Sequence, residues 1–113
     1  MGGAPLYQVK AEFLRTLGHP ARIRVLELLS ERDYAVHELL SEIEIEPSNL
    51  SQQLGVLRRA RLIRQRRDGA AVVYSIAVPE IRDLLVVARQ ILLRLLAEQE
   101  DLREQLQPDP GAR

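Results

Sequence analysis

Apolar positions recur with a helical period along most of the chain and give way to two strand-like runs only between residues 62 and 76. Leu6, Val9, Phe13, Leu14 and Leu17 place a first helix over residues 5–17. Gly18 stands where a left-handed C-terminal cap belongs. Pro20 is suited to open the next helix, because the N–H it lacks is unpaired in any first turn. Ile23, Leu26, Leu28 and Leu29 then predict a well-buried second helix over 20–31, followed by a connector at 32–35. Val36, Leu39, Leu40 and Ile43 predict a short third helix at 36–43, ended by the approach to Pro47.

Ser48 is a suitable N-cap for a fourth helix at 48–60, with Leu50, Leu54 and Leu57 at i, i+4 and i+7. "LIRQRR" and "AAVVYSI" read as strands joined at Asp68-Gly69, a strong hairpin signal. Pro79 ends the second strand. A long last helix, residues 80–105, is apolar on more than one face. The expected fold is mainly α with a small β-hairpin, in the order α-α-α-α-β-β-α. It forms one domain over residues 1–113, with 1–5 and 106–113 as flexible tails.

The fourth helix carries the chemistry. On a wheel of about 100° per residue its three leucines fall within about 60° of one another. Ser48, Gln52, Gly55 and Arg59 lie opposite, flanked by Asn49, Ser51, Gln53 and Arg58. The outward face is therefore small and polar at its N-terminal end and cationic at its C-terminal end. A helix that enters the major groove of double-stranded DNA needs that gradient. Short amides and hydroxyls meet base edges, and arginines meet phosphates. The third helix, a break and this helix follow in helix-turn-helix order. The Arg-rich hairpin directly behind reads as a wing, with Arg64, Arg66 and Arg67 placed against the DNA backbone.

Charge changes the picture because it is segregated. Lys plus Arg and Asp plus Glu number 16 each, so the formal net charge is zero. Yet residues 47–70 hold six arginines and one acid, and residues 31–46 hold six acids and one base. Composition closes several functions off. With no cysteine, disulfides, thiolate metal sites, thiol redox sensing and cysteine nucleophiles are all excluded. Two separated histidines and no Gly-rich phosphate loop leave no nucleophile and base to assemble into an enzyme. No apolar run reaches membrane-spanning length, and the first residues do not resemble a signal peptide. The expectation is a protein of the bacterial cytoplasm with no membrane partner.

"LGHPARIRVLELL", "SNLSQQLGVLRRARLI" and "RRDGAAVVYSI", with the long last helix, resemble the ArsR/SmtB family of winged helix-turn-helix bacterial repressors over roughly residues 8–100. The resemblance implies a homodimer formed through the first and last helices. The residues for that interface are Leu6, Val9, Phe13, Leu84, Val87, Ile91 and Leu95. It also implies repression at an inverted-repeat operator, released by a metal or small-molecule effector. Two positions depart from the family: Gln53 where histidine is frequent, and Arg61 where glycine is frequent. The family's metal sites do not carry over. Ala35 and His37 stand at the positions of one cysteine pair. Leu85, Leu96 and Gln99 follow Asp83 where the other site has nitrogen and carboxylate ligands.

His19 reads as a helix-entry turn residue and His37 as an exposed polar residue of the third helix. Their alternative is a non-standard nickel or zinc site built with carboxylates. A co-regulator that works through a protein partner is the competing reading of the whole chain.

Overall fold

The computed structural model describes residues 3–108; Met1, Gly2 and residues 109–113, and with them parts of both expected tails, lie outside the described residues. Five helices and a three-stranded sheet follow in the order α1 (Leu6–Leu17), α2 (Pro20–Glu31), β1 (Tyr34–Ala35), α3 (Val36–Glu42), α4 (Pro47–Arg59), β2 (Ile63–Asp68), β3 (Ala71–Ile76) and α5 (Glu80–Leu106). Contacts divide the chain after Arg82 into two units, the second holding most of α5.

The core of the first unit is aliphatic. Val25, Leu26, Leu28 and Leu29 of α2 pack with Leu39 of α3 and with Leu50, Leu54 and Leu57 of α4, all fully or almost fully buried. Leu62, Ile63, Val73, Tyr74 and Ile81 extend it to the sheet and the start of α5. A leucine buried this completely contributes about 1.5–3 kcal/mol relative to an exposed one. The leucine stripe of α4 is therefore what fixes which side of that helix faces outward.

Several local expectations are corrected. Gly18 is not left-handed (φ −77°, ψ 47°); its N–H is satisfied by the Arg15 carbonyl at 3.1 Å without that conformation. The connector at 32–35 contains β1, whose Tyr34 and Ala35 pair with Tyr74 and Val73 of β3. The sheet order is thus β1-β3-β2, antiparallel throughout. Two residues are too few to show an alternating pattern in the sequence. Ser48 is not the N-cap of α4: Glu46 is, without a side-chain bond, and Pro47 takes the first helical position. The helix begins one residue earlier because proline's fixed φ suits that position.

Asp68 belongs to β2, paired with Ala71, so the hairpin loop is Gly69-Ala70. Gly69 has φ +62°, and Ala70 is not in the positive region. That is the pattern of a type II′ turn, which needs glycine at its first central position.

The end of α4 is unusual. Leu62 N–H donates to the Leu57 carbonyl at 3.0 Å and Arg61 N–H to the Arg58 carbonyl at 2.9 Å. These two bonds make a Schellman motif. Its left-handed residue is Arg61, with φ +66°, not the glycine such a position favours. The conformation costs a residue with a side chain roughly 1–2 kcal/mol.

Candidate nucleic-acid interface

On α4 the side chains sort as the wheel requires, with one exception. Leu50, Leu54 and Leu57 are inside; Ser48, Asn49, Ser51, Gln52, Arg58 and Arg59 are exposed. Gln53 is the exception. It is buried, 5% exposed, and both ends of its amide are used. Its Oε1 accepts from Arg22 Nε at 2.7 Å, and its Nε2 donates to Asn49 Oδ1 at 2.9 Å. Arg22 also donates through Nη1 to the Thr16 carbonyl at 3.1 Å. The expected contact of Gln53 with DNA is corrected: the residue ties α4 to α2 and, through Arg22, to the last turn of α1. Arg22 itself was missed in the sequence. Its one signal is an arginine, half-buried, inside a helix that reads as core.

The network also orients Asn49. The bond from Gln53 occupies one lone pair of the Asn49 carbonyl oxygen and restricts the rotation of that amide, while the residue itself stays exposed. Gln52 makes no side-chain hydrogen bond within the described residues and keeps both ends of its amide available. Arg59 lies over Gly55: a Cβ there would stand 3.1 Å from Arg59 Nη1. The absence of a side chain thus lays one guanidinium along the outward face.

In the wing, Ile63 is the one buried residue of β2, and Arg64, Arg66 and Arg67 are exposed. Arg66 pairs with Asp33 at 2.7 Å across to the β1 connector. Both partners are about half exposed, so the pair is worth at most about 1 kcal/mol and can exchange for a phosphate. Tyr74 donates its hydroxyl to Gln65 Oε1 at 3.0 Å and steadies the strand.

The two histidines sit apart. His19 is the N-cap of α2, and its Nδ1 accepts from Ala21 N–H at 3.2 Å, which is the turn role expected of it. His37 is exposed on α3. Among the described residues no group of three or more His, Cys, Asp or Glu side chains is gathered as a metal site would need. Nor is any helix among them long and apolar enough to cross a membrane.

A buried aliphatic stripe, an outward polar row and an Arg-rich hairpin define a winged helix-turn-helix domain. Residues 19–65 match the model of the bacterial regulatory proteins of the arsR family. The chain is 60% identical over 108 residues to the uncharacterized HTH-type transcriptional regulator Rv0081 of Mycobacterium tuberculosis, spanning 91% of this chain and 95% of that protein. The crystal structure of M. tuberculosis Rv0081 superposes with a TM-score of 0.79, covering 86% of this chain and 98% of that one. The transcriptional repressor BigR from Xylella fastidiosa superposes with a TM-score of 0.70 at 33% identity, over 75% of this chain and 87% of that one. The chain belongs to the arsR family of bacterial regulatory proteins, and its class is that of a transcriptional regulator.

Proposed function

We propose that this chain binds operator DNA as a homodimer and represses transcription from it, in the cytoplasm. The observation that carries the reading is the division of α4. Its leucines are sealed in the core, while Ser48, Ser51 and Gln52 form an exposed hydrogen-bonding row with arginines behind it. Each good amide–base pair of this kind discriminates by about 1–3 kcal/mol. Arg58, Arg59, Arg64 and Arg67 supply phosphate contacts, joined by Arg66 once Asp33 releases it.

A second copy of the chain is the partner that the apolar surfaces call for. On α1, Leu6, Val9 and Phe13 are exposed, and on α5, Val87, Ile91 and Leu95. Leu84 of α5 is half-buried. Repression is the reading closest to the repressor BigR.

The test is a band shift with fragments of the chain's own promoter. Binding should centre on an imperfect inverted repeat whose half-sites lie ~34–36 Å apart, one turn of duplex. Affinity should fall steeply with salt, as for any protein holding several phosphates. Equal affinity for every sequence, or no dependence on salt, would refute the reading.

A further inference from the structure

The strained residue at the end of α4 opens onto a feature that base reading does not use. A depression of about 430 Å³ lies at this corner, lined by Arg58, Arg61, Arg64, Ile63, Ala77 and Val78. Three arginines thus border one recess beside three aliphatic residues. Among the described residues the ion pairs belong to Arg15, Arg24, Arg32 and Arg66, so none of these three has a carboxylate partner. Three guanidinium groups that line one recess, with no ion pair of their own among the described residues, present their donors to an oxyanion. Guanidinium groups suit a phosphate in particular, since their planar fork donates to two of its oxygens at once.

A further observation points the same way. On the helical wheel Arg58 falls on the same flank of α4 as Ser51, seven residues earlier, about 10.5 Å along the axis. The recess therefore continues the face that carries the outward polar row.

We propose that Arg58, Arg61 and Arg64 form a seat for a phosphate oxyanion, occupied by a backbone phosphate at the border of the groove that α4 enters. Arg61 enters the DNA-binding surface only through this seat. The inference rests on the DNA-binding reading above and adds to it a single, localised phosphate site.

The experiment measures affinity by fluorescence anisotropy for a promoter fragment and for a random duplex, between about 50 and 200 mM salt. It compares the wild type with Arg58→Gln, Arg61→Gly and Arg64→Gln, and records the melting temperature of each. Each substitution should weaken both duplexes alike, by roughly tenfold, and lower the salt slope by about one. Arg61→Gly is the decisive variant, because it removes the strain and the cation together. It should raise the melting temperature while it weakens DNA binding, a combination that a purely structural role would not produce. A raised melting temperature with unchanged affinity and slope overturns the proposal.

A parallel titration with inorganic phosphate, followed by NMR, separates the two sources of the anion. Phosphate bound at millimolar concentration in the wild type, with DNA affinity untouched in all three variants, would assign the seat to a free phosphorylated ligand and overturn the backbone assignment. If the wild type binds neither duplex, the DNA-binding reading itself fails. In that case loss of phosphate binding in the three variants would uphold the seat, and its retention would overturn it.

Discussion

Gln52 and Gln53 stand side by side on α4 and have opposite surroundings. The first is exposed and makes no side-chain hydrogen bond among the described residues; the second is buried between Arg22 and Asn49. Their substitutions should separate base reading from positioning. Gln52→Ala should leave the melting temperature unchanged, weaken operator binding by ~1–3 kcal/mol and relax preference at one base position. Gln53→Ala strips a charged donor of its acceptor. It should destabilise the fold by ~1–3 kcal/mol, the usual penalty for a buried polar group left unpaired. It should also free Asn49 to rotate, so that affinity falls on every sequence alike. Thermal melts and a competition assay against randomised half-sites check both, and two identical profiles would contradict the assignment. The wheel alone could not separate these residues. It places Gln53 at the margin of the core stripe, and only the arrival of Arg22 from α2, 31 positions earlier, decides its side.

At the scale of elements, α3 depends on one carboxylate. Ala35 stands at its N-cap and has no side chain to cap with. Glu38 compensates by accepting from the Ala35 backbone N–H at 2.9 Å, half of a capping box. That bond first, and the ion pair with Arg32 at 3.2 Å second, hold the Glu38 carboxyl below the usual glutamate range. The lowered value means that the folded state favours the charged form. Its contribution is complete at neutral pH, fades as pH falls into the ordinary carboxylate range, and is gone below the lowered pKa. Glu38→Gln should therefore lower the melting temperature at neutral pH and leave it unchanged at the most acidic pH where the protein folds. Calorimetry across that range is the check, and an equal deficit at every pH would count against it.

Much of this level was legible in the sequence. The bounds of α2, the extent of the hairpin and the inward stripe of α4 follow from periodicity and from proline. What escaped depends on partners distant in the chain: β1 exists because β3 offers it an edge, and Arg61 is left-handed because α4 must turn at once into β2. The site was legible to a similar depth. Residue types and spacing show the outward row, but the engaged end of Asn49, the pairing of Arg66 with Asp33 and the recess beside Arg61 are properties of the assembled fold.

For the molecule as a whole, the deciding quantity is the apolar surface of α5. Val86, Val87, Ile91, Leu92, Leu93, Leu95 and Leu96 are each about half exposed or more. Val87, Ile91 and Leu95 also line a recess of about 380 Å³ with Gln90 and Arg94. A helix apolar on this scale is unfavourable in water and is stabilised by a second apolar surface. If that surface is a second copy, the symmetry of the pair sets the symmetry of the operator, and two recognition helices bind as one ligand. Ile91→Glu with Leu95→Glu places two carboxylates in the contact while leaving the core of the first unit untouched. The double variant should sediment at half the wild-type mass and lose the dependence of melting temperature on protein concentration. It should keep its affinity for a single half-site and lose the gain that the full inverted repeat provides. A variant that remained dimeric would place the contact on another surface. One that became monomeric yet bound the full repeat as tightly as the wild type would separate dimerisation from operator recognition.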